Sequence, residues 1–335
     1  MERYFLGNNT GHGFFNGYES ELKNMTRVIL LKGGPGTGKS TMLKKIAMDA
    51  KSKGLDYELW YCSGDPKSLD GVYVKDIDAA VVDATSPHAT NVDIPIVKDV
   101  IFDLANGIDF HKIADKRKEI EKLIKCKKAM FMRAYQHLKC ALCHFNNQFE
   151  IEMQGADDRA IRAYCRSFLK RFGLMDGEGK DRKLFSHAIC PSGESEYFDH
   201  LRDKKILLVE GSAYLKKIFF DELKRVCRGV TLFMKPLEPS VAEGAIVNDV
   251  AIVESTGHFL SDVSEIISLA AFQNKYDTDG AREEENYVAL QTAFAVDCLN
   301  KARKEHLALE NIFLSAMDFS KNESIREQIN KLLFG

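Results

Sequence analysis

The chain lacks several features that would have placed it at once. No apolar run approaches the roughly 18–20 residues a membrane helix needs, which argues against a membrane-spanning segment. The opening residues, Met1-Glu2-Arg3-Tyr4-Phe5-Leu6-Gly7, lack the apolar core of a secretory signal. Excess charge of one sign is missing too. The formal net charge is −2, so no global basic field argues for DNA or RNA. Eight cysteines are present but scattered, and no second Cys/His pair completes a zinc site. Together these absences predict a cytoplasmic protein whose thiols are free and packed as small hydrophobes.

What is present is more specific. Residues 33–40 read Gly33-Gly34-Pro35-Gly36-Thr37-Gly38-Lys39-Ser40, followed by Thr41. This is a complete G-x-x-x-x-G-K-[ST] phosphate-binding loop. The apolar run Val28-Ile29-Leu30-Leu31 precedes it and a helix-compatible stretch, Thr41 to Ala47, follows. The motif needs that setting: a buried strand delivers the loop and a helix N-terminus leaves it. The glycines let successive backbone N–H groups turn inward toward phosphate oxygens. The dipole of the following helix adds positive potential there. Lys39 is expected to reach the β- and γ-phosphates, and Ser40 to ligate Mg²⁺.

The second informative feature is internal similarity. Arg27-Val28-Ile29-Leu30-Leu31-Lys32-Gly33 has an echo in Lys205-Ile206-Leu207-Leu208-Val209-Glu210-Gly211. Continued without gaps, that register sets Lys217 opposite Lys39. Tyr4-Phe5-Leu6 matches Leu184-Phe185-Ser186, Asp65-Pro66 matches Glu238-Pro239, and Gly71 to Val74 matches Gly244 to Val247. Asp78 to Asp83 matches Asp249 to Glu254, and Thr85 and His88 are echoed by Thr256 and His258. The copies differ where chemistry would sit. Tyr214 and Lys216 stand opposite Gly36 and Gly38, and Ile218 stands opposite Ser40. A phenol blocks close backbone approach and an isoleucine cannot bind Mg²⁺, so the second copy reads as a pseudo-domain without a nucleotide.

Strands are expected near 27–32, 57–62 and 79–83, and again near 205–210, 230–235 and 249–254. Apolar runs alternating with helices predict a parallel sheet of three or four strands per copy. So thin a sheet predicts that the two cores pack together or share one sheet. Each copy then gives way to a long helical arm. Ile113, Ile120, Ile124, Phe131, Tyr135, Leu138, Leu142, Phe145 and Phe149 recur at helical spacing in the first, and Tyr287, Leu290, Phe294, Cys298, Ala302, Leu309, Phe313 and Met317 in the second. The expected fold is α/β, a P-loop NTPase-like three-layer core in tandem. Its expected boundaries are a nucleotide-binding core over 1–98, an arm over 99–178, a degenerate core over 179–260 and a second arm over 261–335.

Asp83 closes an apolar strand and is the expected partner of Ser40 in holding Mg²⁺. Ala84 follows, where many ATP hydrolases have a glutamate, so the water-positioning group must come from elsewhere. His88 and Asp65, each after a strand end, are the candidates. Asn8 to Gly13 forms a Gly-rich turn that could cover a base. Arg159, Arg162, Arg166 and Arg171 line one helix of the first arm, as a wet face or a lid. Cys140-Ala141-Leu142-Cys143-His144 matches a haem-attachment pattern, but lies within an amphipathic helix and reads as packing. The basic run from Lys112 to Lys128 is interleaved with Glu119 and Glu121 and reads as the solvated face of the arm, with contact to nucleic acid or an acidic partner as the less favoured alternative.

The loop from Gly33 to Thr41 resembles those of AAA-type and RecA-like ATPases more than those of small-molecule kinases. Over Gly7–Phe15, Lys32–Thr41, Tyr61–Gly71, Asp83–His88 and Leu184–Tyr197, the chain resembles a family of bacterial ATPase-like proteins, mostly from Gram-positive species, built as two tandem P-loop halves. The resemblance spans most of the chain. It implies ATP binding with Mg²⁺ and hydrolysis; an intact second loop, known in that family, is lost here. The expected function is slow ATP turnover at one N-terminal site, with the arms passing the nucleotide state to a protein partner. A phosphotransferase and a non-catalytic ATP-binding scaffold are the alternatives. No N/TKxD guanine signature occurs, which favours adenine.

Overall fold

A computed structural model describes residues 1–86, 94–255 and 261–335. It is mixed α/β and contains two six-stranded sheets. The first comprises β1 (Glu2–Tyr4), β4 (Arg27–Lys32), β5 (Tyr57–Tyr61), β6 (Leu69–Val74), β7 (Ala79–Asp83) and β8 (Asp99–Asp103), in the order β1-β5-β6-β7-β4-β8. A separate hairpin, β2 (Gly7–Thr10) with β3 (Gly13–Asn16), leads to the short helix α1 (Tyr18–Leu22), and α2 (Lys39–Ser52) follows β4. The second sheet comprises β9 (Arg182–Leu184), β12 (Lys205–Glu210), β13 (Val230–Met234), β14 (Ala242–Val247), β15 (Val250–Val253) and β16 (Val263–Ser268). Its order, β9-β13-β14-β15-β12-β16, repeats the first strand for strand. Here too a hairpin, β10 (His187–Cys190) with β11 (Gly193–Glu196), precedes the central strand, and a helix, α5 (Ala213–Val226), follows it.

The expected parallel sheet of three or four strands is corrected on both counts. β4 pairs in parallel with β7 and β8, but β6 runs antiparallel to both of its neighbours, β5 and β7. Only the 3₁₀ turn Lys75–Ile77 and Asp78 join β6 to β7, far too short for the crossover a parallel pair needs. The additional strands include three-residue β1 and Leu69–Val74, a run interrupted by Asp70 and Gly71. The last strands, β8 and β16, extend the sheets past residues 98 and 260. The two sheets are separate and are not shared between the halves.

Along β4 the side chains alternate. Ile29 and Leu31 pack with Leu43 and Ile46 of α2, while Val28 and Leu30 pack with Tyr18 of α1, Trp60 and, from the second half, Leu184 and Phe233. The halves therefore share an apolar interface. At its centre Phe5 and Phe185, which are equivalent positions, exchange backbone hydrogen bonds of 3.0 and 3.1 Å. Arg182 forks onto Glu58 at 2.7 and 2.9 Å nearby, a bidentate geometry that fixes orientation.

Each half sends out a 37-residue helix, α3 (Arg117–Met153) and α6 (Thr278–Leu314). They lie antiparallel: His144 meets Glu284, His137 meets Gln291 and Lys127 meets His306. Each turns back into a shorter helix, α4 (Asp158–Arg171) and α7 (Ser320–Phe334). The arms then cross. Ile161, Cys165 and Phe168 of α4 enter the core of the second half beside α5. Ile329 and Leu333 of α7 enter the core of the first half beside α2.

Candidate functional site

β4 is fully sandwiched, so its end at Lys32 is fixed, and six residues, Gly33–Gly38, turn the chain into α2. Gly36 and Gly38 adopt φ of 73° and 88°, the left-handed region that favours glycine. They also make room for the second half's arm. A Cβ on Gly36 would lie 2.7 Å from the Glu310 carbonyl oxygen, and one on Gly38 would lie 3.0 Å from Asn322 Nδ2 and 3.1 Å from the Phe319 ring. Asn322 further donates to the Thr37 carbonyl at 3.0 Å. The turn between α6 and α7 is thus seated on the loop.

Lys39 opens α2 and its ammonium group folds across the turn. It donates to the carbonyls of Gly33 and Gly34 at 2.8 and 2.9 Å and stands 3.7 Å from Asp83. Asp83 ends β7, the neighbour of β4, and accepts from the Thr85 backbone and hydroxyl at 2.9 and 2.6 Å. Thr37 is buried and donates to the Gly34 carbonyl at 2.9 Å. The Ser40 hydroxyl accepts from the Leu69 amide at 3.0 Å, which leaves a second lone pair. Gly34 and Pro35 complete the turn, and Thr41 is exposed on α2. Among the described residues no group of three or more His, Cys, Asp or Glu gathers as a metal site. Mg²⁺ that travels with a nucleotide needs little more from protein than one or two oxygen ligands; Ser40 and Asp83 are the residues that would supply them.

Asp65 also converges here, by way of α6. Its carboxylate accepts from Arg303 at 2.9 Å. Beside that pair lie Lys127 of α3, whose amine is 3.4 Å from His306 Nδ1, and Glu310, 3.6 Å from His306 Nε2. Burial, with Lys127 and Lys39 nearby, drives the His306 imidazole down to about 4, so it is neutral at pH 7. Burial and the Asp65 charge hold the Glu310 carboxyl above its ordinary range, against the opposing pull of Lys39, Arg303 and Lys127. The structure therefore brings Lys39, Asp83 and Asp65 to one place and adds Lys127, Arg303, His306 and Glu310, which sequence reading missed. Their signal was the spacing 303, 306 and 310 on one helical face. Nothing in linear order says that this face returns to the first half. His88 and Pro87 lie outside the described residues, as do Thr256 and His258.

The second half has no such turn. Only Gly211 and Ser212 separate β12 from α5. The Tyr214 amide donates to Glu152, at the end of α3, at 2.7 Å, and Gln148 holds the other carboxylate oxygen at 2.9 Å. A protein carboxylate therefore fills the helix N-terminus. Lys217, expected opposite Lys39, instead pairs with Asp221 one turn along its own helix. Lys216 takes the Lys39-like place, 3.1 Å from Glu254, which Lys235 also engages. In the ungapped register α5 starts four residues earlier than α2, so Lys217 lies inside the helix rather than at its start. A cavity of about 220 Å³ lies beside Glu254, lined by His187, His200, Lys235 and Glu243.

The remaining motifs settle elsewhere. The Asn8–Gly13 turn packs on the other half: Asn8 and Asn9 bond β10, and Gly11 abuts Leu142 of α3. Arg162 and Arg166 converge with Arg225 on Glu222 of α5 and depress its carboxyl to about 2, chiefly through the Arg225 hydrogen bond. Cys140 and Cys143 are exposed free thiols on α3, and His144 pairs with Glu284 at 2.6 Å. No helix among the described residues is long and apolar enough to cross a membrane. Compared with protein-family models, curated proteins and solved structures, the chain finds no match.

Proposed function

We propose that residues 33–41 bind the phosphates of Mg·ATP, that the first half hydrolyses it slowly, and that the crossed arms register the nucleotide state. The observation that carries this reading is the placement of Lys39. Its ammonium is held by the turn's own carbonyls within 4 Å of a carboxylate that ends the adjacent strand. In this reading Lys39 meets the charge that develops on the γ-phosphoryl oxygens. Ser40 and Asp83 would hold the metal, which would supply charge neutralisation on the phosphates. Asp65 and His88 remain the proposed water-positioning groups.

The shared strand order, the equivalent hairpins and the matched arms support a finer proposal. Both halves derive from one P-loop NTPase-like unit, of which only the first keeps its loop. Kinship with the tandem P-loop family named above is part of the same proposal. A phosphotransferase reading fares worse. The arginines that would form its lid, Arg162 and Arg166, are tied to Glu222 in the opposite half. A scaffold that binds ATP without turnover differs from the hydrolase only in phosphate release. The test is titration calorimetry with Mg·ATP on the full chain, followed by a phosphate-release assay. Saturable heat that Lys39→Ala abolishes is expected; no heat with any purine triphosphate would overturn the reading.

A further inference from the structure

The first half is short of two groups that phosphate cleavage uses. Ala84 stands where a glutamate would activate water, and the loop motif itself carries no arginine. Both kinds of group arrive on one face of α6, from the other half. Arg303 and Glu310 are seven residues apart, two helical turns, with His306 between them. The Glu310 backbone is against Gly36 at the centre of the phosphate turn. Arg303 reaches Asp65 with one Nη, while its Nε is buried and has no hydrogen-bond partner among the described residues. Arg303 itself is half-buried, but a buried Nε–H without an acceptor is an incomplete arrangement, since buried donors are normally satisfied.

We infer that the second half completes the ATP site of the first, with Glu310 as the base for the attacking water and Arg303 as the cation that meets the transferring phosphoryl group. The inference rests on the ATP reading above and adds the groups that perform the cleavage. Glu310 accepts the proton of the water whose oxygen forms the new bond to the γ-phosphorus. The bond from that phosphorus to the bridging oxygen breaks, its electron pair stays with ADP, and inorganic phosphate leaves. Glu310 then returns its proton to solvent. Arg303 must release Asp65 to reach the phosphoryl oxygens, so cleavage competence and the position of α6 are linked. The groups that face Glu310 are His306 on its own helix, Lys127 from α3, and Asp65 and Lys39 from the first core, along with Arg303. His306 is neutral at working pH, and burial with Asp65 makes Glu310 a stronger base than a solvated glutamate.

The experiment compares full-length wild type, Lys39→Ala, Arg303→Ala and Glu310→Gln by binding of a fluorescent ATP analogue and by phosphate release. Glu310→Gln should bind the analogue within about threefold of wild type, release phosphate about 100-fold more slowly, and lose the acid limb of the pH–rate profile. Arg303→Ala should slow release by about 100- to 1,000-fold. Arg303→Lys and Glu310→Asp keep the charge, are expected to fold, and should show the same losses in smaller measure. Wild-type release rates in the Arg303 and Glu310 variants, with Lys39→Ala inactive, would overturn the inference and leave the ATPase reading standing. Wild-type release no faster than Lys39→Ala would remove that reading, and the inference with it.

Discussion

In the first half, six residues turn β4 into α2, and a lysine at the helix start is held beside a strand-end aspartate. In the second half, two residues make the same connection, and a glutamate from the neighbouring arm sits on the helix N-terminus. The strand order around the two connections is identical. The difference teaches that sheet topology does not dictate what lies at the start of the helix that follows the central strand. A helix N-terminus offers free N–H donors whatever the loop, and something has to satisfy them. In the second half it is Glu152. In the first, no side chain among the described residues caps the start of α2, and the turn between α6 and α7 is seated on the glycine loop.

That contrast can be broken or sharpened experimentally. The largest effect is expected from Lys39→Ala, which should cut phosphate release about 100- to 1,000-fold, whereas Lys217→Ala, whose amine faces Asp221, should leave it unchanged. Equal losses from both would erase the functional distinction between the halves.

Acid should separate the halves next. His200 is buried in the second half, where desolvation lowers its imidazole to about 4. The sign follows from linkage. The folded value lies below the unfolded one of about 6.5, so the unfolded chain takes up the proton first. Stability is full above about 6.5 and is lost as pH falls toward 4, by about 3 kcal/mol at most. Denaturant melts across that range should show the loss; His200→Phe should remove the His200 share, seen by hydrogen exchange in the second sheet, and leave the share of His306, which is also lowered to about 4.

A smaller effect is expected from Glu152→Ala. It leaves the Tyr214 amide buried without its acceptor, at a cost of about 1–3 kcal/mol. Chemical denaturation would measure it, and ATP binding at the first loop should be untouched. A Glu152→Ala protein that instead gained a second nucleotide site would show that the carboxylate alone keeps the second half empty.

Much of this was legible in the sequence for definite reasons. The loop from Gly33 to Ser40 is contiguous, so its residues come together without any help from the fold. Asp83 could be placed because strands β4 and β7 are both apolar runs and neighbours in the sheet. The register of the halves was visible because Ile29 to Leu31 and Leu207 to Val209 are buried in the same way. The rest was hidden by distance in the chain. Arg303 meets Asp65 across 238 residues, and no periodicity announces that α6 crosses to the other half. The lost loop misled the register at Lys217 because an ungapped comparison cannot see a helix that starts early. The short strand β1 has only three residues, too few to show an alternation.

The crossing of the arms also governs how the chain comes to be folded. Ile329 and Leu333 seal the hydrophobic layer that Ile29 and Leu31 begin, and Arg27 donates to the Leu332 carbonyl 305 residues downstream. During synthesis the first sheet, covered on that side only by α2, must wait for its last partners until the residues of α7 have emerged. Its completion is then a late event that joins α7 to β4 and α2. Removing residues 320–335 should therefore be felt first not where they are deleted but at the opposite terminus.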